Sequence, residues 1–160
     1  MALVRLAERI SPDAAVRSAI VALPPCLAAL IDRWFDQRPR LLAPLQPASG
    51  ITVVGRGIGH SVALETALKL REVGGVMTEA YSPASLLHGP IAAIRPPQDL
   101  WLSASPDYDV GYWTEFLARI RPRVRNVIVV SHYDQLLEDS HIAIKLPPDK
   151  ADWPYAILGA

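Results

Sequence analysis

Gly55-Arg56-Gly57, then Glu65, Lys69 and Glu72, then Tyr81, His88, Gly89 and Pro90 are the residues whose types and spacing could do chemistry. The glycine turn joins an apolar run, Ile51 to Val54, to a helical pattern, and bare backbone amides at such a junction attract anions. Glu65, Lys69 and Glu72 are spaced four and three apart, so at ~100° per residue they fall within about 60° of arc on one side of a helix. His88 follows in a Ser/Pro-rich loop, and an imidazole moves protons near neutral pH. An anion cradle, a carboxylate beside an ammonium and a lone imidazole thus share one strand–helix–loop unit. That is the equipment for proton transfer on a phosphorylated small molecule.

Each signal also has a plainer reading. The charged stripe is either a solvated ion-pair face, with Glu65 ahead of Lys69 in the favourable helical order, or a seam facing a cleft. In a cleft, Glu72 would move protons while Lys69 tunes its charge or orients hydroxyls. Ala63, Leu64, Ala67, Leu68 and Leu70 fill the rest of the circumference, which predicts a mostly buried helix with one polar seam. The glycine turn is not a dinucleotide fingerprint, since His60 stands where the third glycine is needed, and no Gly-Lys-Ser/Thr makes it a P-loop. It is a tight turn alone or an anion site, with Arg56 either in a structural ion pair or pointing into that site. Ser103 and Ser131 end strands, where ligand sites of α/β sheets lie. His60, His132 and His141 have no metal-ligand spacing with any carboxylate, so neither metal nor other cofactor is expected.

The elements that must position these residues follow from punctuation and period. Ser11-Pro12-Asp13 starts a helix, Pro24-Pro25 ends it, and a second amphipathic helix runs through Leu27, Leu30, Ile31, Trp34 and Phe35. A short helical piece is possible around Leu41 to Leu45. Strands are expected at 51–54, 76–80, 100–103, 127–131 and 142–146, with helices over 59–73 and 112–120 and short helical pieces around His88. Alternation of apolar strands with helices argues for a parallel sheet covered on both faces. The last residues, Tyr155 to Ala160, read as an apolar helix cut short.

The chain has 160 residues, is 51% hydrophobic and carries a formal net charge of zero, which suits one globular domain. No basic patch points to nucleic acid and no window is long and apolar enough for a membrane span. The single cysteine, Cys26, fits a reducing compartment, and with no signal peptide in view a cytoplasmic location is expected.

The quoted run is specific. Val54-Gly55-Arg56-Gly57, Ala63-Leu64-Glu65-Thr66-Ala67-Leu68-Lys69-Leu70-Arg71-Glu72, Thr78-Glu79-Ala80-Tyr81-Ser82 and Leu87-His88-Gly89-Pro90 resemble the sugar isomerase (SIS) domain family. The resemblance is to the second of two such domains in the isomerase half of glucosamine-6-phosphate synthase. It is dense over 51–94. It implies a three-layer α/β/α sandwich around a five-stranded parallel sheet, flavodoxin-like, over 49–160, with 1–48 as a helical linker or arm. It implies a hexose or amino-hexose 6-phosphate ligand and proton transfer between C1 and C2 through an enediol. Carried over by motif, Glu72 is the base, Lys69 its neighbour, and His88 assists ring opening. Arg56, Gly57, Glu65, Ser103 and Ser131 complete the expected site.

The departures also count. Ser85 replaces the family's acidic residue three before the histidine. The Ser/Thr-rich phosphate loop belongs to the family's first SIS domain. Ala2 follows Met1, so no glutaminase activity is expected of this chain. The chain therefore reads as half of an isomerase or deaminase unit, pairing with itself or with another SIS domain. The alternative is a non-catalytic phosphosugar-binding module.

Overall fold

A computed structural model describes residues 9, 14–42 and 50–146. The chain forms two compact units, Met1–Arg38 and Pro39–Ala160. Helix α1, Ala14–Leu42, makes up most of the described part of the first. The break expected at Pro24-Pro25 does not occur. Proline's fixed φ is helical, and its cost is the lost amide donor and crowding one turn back. Both prolines are exposed, where water can take the carbonyls left over. The expected start at Ser11-Pro12-Asp13 and the apolar end at 155–160 lie outside the described residues, as does part of the piece at 41–45.

The second unit is built on a five-stranded, wholly parallel sheet in the order β2-β1-β3-β4-β5. Its strands are β1 (Ile51–Gly55), β2 (Thr78–Tyr81), β3 (Asp99–Ala104), β4 (Val127–Ser131) and β5 (Ile142–Lys145). Helix α2 (Ile58–Gly74) joins β1 to β2, and α3 (Pro83–Leu87) with a 3-10 turn (Pro90–Ala93) leads to β3. Helix α4 (Val110–Ile120) joins β3 to β4, and α5 (Asp134–Glu138) joins β4 to β5. The sandwich expected from the sequence is observed. The short α5, unread in the sequence, is too brief and too charged to show a period.

Strand alternation divides the core. Ile51 and Val53 pack with Ala63 and Ala67 of α2 on one face. Val54, Leu100, Leu102 and Val129 pack with Leu86, Trp113, Phe116 and Ile120 on the other. The second face is the larger and carries the aromatic residues. Burying Trp113 and Phe116 there supplies apolar area that dominates this layer.

Helix α2 departs from the mostly buried cylinder its composition predicts. Gly59, Val62, Ala63, Thr66 and Ala67 face the sheet, while Leu64 is 52% and Leu68 37% exposed. Small residues on the inner side let the helix lie close to β1, and the leucines are turned outward. The helix is pinned at its far end. The Arg71 Nη1 donates to the Thr78 carbonyl at 2.6 Å and the Thr78 hydroxyl donates to the Ala67 carbonyl at 2.7 Å. Gly75, in the left-handed conformation at φ 62°, donates to the Arg71 carbonyl and Val76 to that of Leu70, which closes the helix with an αL motif.

Candidate functional site

The strand order reverses between β1 and β3, and such a switch point opens a crevice at the carboxyl ends of the two strands. The glycine turn lies there. Gly55 admits no side chain, because a Cβ would stand 2.0 Å from the Gly59 carbonyl oxygen of the first turn of α2. Gly57 has φ +58° and is the N-cap of α2, with no side-chain cap on the first amides. Ser103 pairs in register with Gly55; it is 6% exposed and its hydroxyl has no partner.

Arg56 is held by aromatic rings rather than by an acid. Its guanidinium carbon lies 4.1 Å from the Tyr108 ring centroid and 4.5 Å from that of Tyr112. The loop after β3 closes over the turn. Its Ser105 hydroxyl donates to the Asp107 carboxylate, and the Tyr133 hydroxyl donates to the Tyr108 carbonyl at 3.0 Å. Ser131 lies deeper than a substrate contact requires. It is fully buried, its hydroxyl accepts from the Tyr133 amide at 3.1 Å, and its oxygen lies 3.4 Å from the Ala104 carbonyl, to which it donates. It closes the end of β4 instead of opening on a surface.

The charged stripe is elsewhere. Lys69 donates to Glu72 at 2.9 Å and stands 3.6 Å from Glu65, with the three side chains 48–53% exposed. The Glu72 hydrogen bond, then the charges of Glu72 and Glu65, raise the Lys69 pKa above the ordinary lysine value. Glu72 sits 14 residues beyond the start of α2, or about 21 Å along the axis at 1.5 Å per residue. His88 caps the end of α3, donating its backbone amide to the Ala84 carbonyl at 3.1 Å, and its side chain is exposed.

Among the described residues the charged stripe and His88 stand on different elements from the Arg56 turn. Glu65, Lys69 and Glu72 ride on the helix covering one sheet face. His88 follows α3, whose Leu86 packs on the other. The turn gathers Arg56, Gly57 and Ser103, with Ser131 buried behind them. Ser105, Asp107, Tyr108, Tyr112 and Tyr133 were not picked out from the sequence. The one signal for them is position, since Ser103-Ala104-Ser105-Pro106-Asp107 leaves a strand at the switch point. Among the described residues no helix is long and apolar enough to cross a membrane.

No family model matches the chain. Glutamine–fructose-6-phosphate aminotransferase [isomerizing] of Corynebacterium diphtheriae is 34% identical over 88 residues, covering 55% of this chain and 14% of that protein. The protein of the same name from Bordetella pertussis is 28% identical over 132 residues, covering 81% of this chain and 20% of its own length. The chain thus spans a fifth or less of these relatives. Among solved structures, the C-terminal domain of glucosamine-fructose-6-phosphate aminotransferase from Francisella tularensis superposes with a TM-score of 0.66 at 20% identity, covering 91% of this chain and 42% of that one. That likeness carries the fold.

Proposed function

We propose that the chain is a sugar isomerase (SIS) domain, most like the second such domain of the glucosamine-6-phosphate synthase isomerase half, and that it supplies part of a composite phosphosugar site. Helix α2 presents Glu72 and Lys69 outward, and a second SIS domain, in a partner or another copy, holds the sugar phosphate against them. Glu72 carries the proton between C1 and C2 of an aldose–ketose or amino-sugar phosphate through an enediol-type intermediate, an enolamine where C2 bears nitrogen. Lys69 sits between two carboxylates and keeps Glu72 in place. His88, exposed at the end of α3, assists ring opening in an adjoining site. Arg56, Gly57 and Glu65 frame the glycine turn and stripe, and Ser103 lies beneath them.

One observation carries this reading. Among the described residues, Glu65, Lys69 and Glu72 bond only to one another, yet they stand on a helix pinned at its far end to β2. Ion pairs of this exposure add little to folding. A fixed frame holding unspent acid and base suits a site that another surface completes. Leu64 and Leu68, exposed beside the stripe, give that surface an apolar border.

The test is exchange with deuterated solvent of the proton that moves between the two carbons, the C1 proton of fructose 6-phosphate or the C2 proton of glucosamine 6-phosphate. The full chain is incubated with fructose 6-phosphate or glucosamine 6-phosphate, alone and with a first SIS domain supplied in trans. Exchange is expected in the paired sample, and Glu72→Gln is expected to slow it by about 10²–10⁴-fold. Unchanged exchange in that variant removes Glu72 as the base. The second reading, a non-catalytic phosphosugar-binding or regulatory module, is favoured by the distance of Glu72 along α2 from the glycine turn. It predicts saturable binding of glucosamine 6-phosphate with no exchange in any pairing.

A further inference from the structure

The switch-point crevice has every ingredient of an anion site. The first amides of α2 are uncapped by any side chain, and Arg56 brings a guanidinium to the turn. The buried Ser103 hydroxyl has no partner on the rung level with Gly55. Ser105 brings a second hydroxyl, which stands 3.4 Å from the Arg56 carbonyl. An anion is already present. A Cβ on Gly57 would lie 2.1 Å from the Asp107 Oδ2, so this carboxylate oxygen fills the concavity left by the glycine. The other carboxylate oxygen takes the Ser105 hydroxyl. The loop that carries it is fastened by the Tyr133 hydroxyl on the Tyr108 carbonyl and by the Arg56 guanidinium over Tyr108 and Tyr112.

We propose that Asp107 is a built-in counter-anion that occupies this crevice and excludes phosphate from the domain's own strand ends. Two effects exclude it. The carboxylate fills the volume over Gly57, and its charge opposes a second anion at contact distance, where a pair of like charges costs far more than thermal energy. A phosphate therefore binds here only when the carboxylate is removed. The inference rests on residues other than the α2 stripe and stands whether or not that stripe is catalytic.

The experiment titrates inorganic phosphate into the isotopically labelled full chain and follows the amides of Gly57, Ile58 and Gly59. In the unaltered chain these amides are expected to stay unshifted. Asp107→Ser, which removes volume and charge and leaves a hydroxyl, is expected to bind phosphate there at least about tenfold more tightly, the scale of one like charge removed at close range. Asp107→Asn keeps the volume and loses the charge, so it is expected to fall between. Saturable shifts in the unaltered chain with an affinity within twofold of Asp107→Ser would overturn the proposal. So would a well-dispersed Asp107→Ser spectrum with no phosphate response. Collapse of the spectrum in both variants would also overturn it, because Asp107 would then be part of the folded frame and not the occupant of a ligand site.

Discussion

Two acidic groups in this domain are treated in opposite ways. Asp99 opens β3 at the foot of the sheet and is wholly buried. Its Oδ1 accepts from the Arg125 Nε at 3.1 Å, the Asn126 amide at 3.2 Å and the Asn126 Nδ2 at 3.1 Å, and its Oδ2 accepts from the Arg125 Nη2 at 2.8 Å. Glu72 stands on the side of α2, half in water, with one bond to a neighbour on its own helix. A buried carboxylate survives only when its oxygens are satisfied, so Asp99 is committed to tying β3 to the segment that enters β4. An exposed one commits to nothing. The contrast separates charge that builds the sheet from charge left over for another molecule.

The largest expected effect tests the committed member. Asp99→Ala takes an acceptor from the buried Asn126 amide groups at the foot of two strands, and unfolding in denaturant should show a loss of about 1–3 kcal/mol. A loss near zero would mean that the foot is no more committed than the stripe. Glu72→Gln should leave the same denaturation midpoint where it is, whatever it does to proton exchange on the sugar. A large drop in midpoint would make the stripe architectural and undo the contrast from the other side.

A smaller effect concerns the leucines beside the stripe. If their exposure reflects a surface that a second SIS domain covers, gel filtration at micromolar concentration should show association by this chain or with a supplied partner. Leu64→Ser combined with Leu68→Ser should return it to monomer with the midpoint little changed. A monomer before any substitution, with or without the partner, would leave the leucines as ordinary surface.

Much of this frame was legible before any coordinates. The strands announce themselves because β-branched runs such as Ile51 to Val54 and Val127 to Val130 are buried on both sides and end in glycine, serine or proline. Helix α2 is legible through its glycine stop, since the left-handed turn at Gly75 suits a residue without Cβ. What failed depends on the third dimension. The direction in which Leu64 and Leu68 point follows from small residues fitting against β1, which a helical wheel of equally apolar residues does not reveal. The crevice joins Arg56 to a loop 49 residues away through the Ser105 hydroxyl. No local pattern announces such a contact. Pro24-Pro25 misled because proline's propensity is a cost and not a prohibition. The separation of Glu72 from the glycine turn was implicit in the helix length, and the motif's compactness in sequence hid it.

His132 lies between the two extremes and gives the finest test. It follows β4, half-buried, with its ring 3.8 Å from that of Tyr133. Burial lowers its pKa below the ordinary histidine value of 6.5. The unfolded chain therefore takes up this proton at a higher pH than the folded one, and between the two pKa values the unfolded state binds more protons. The associated stability is fully present above pH 6.5 and is lost as the pH falls through the folded value. Denaturation midpoints measured across that interval should decline toward acid, and His132→Gln, which carries no titrating group, should make the decline shallower. Equal slopes in the two proteins would place the acid sensitivity elsewhere. Partial burial at the carboxyl end of the sheet would then cost a charge as little as half exposure on α2 does, and the boundary between committed and available groups would have to be drawn at full burial, where Asp99 stands.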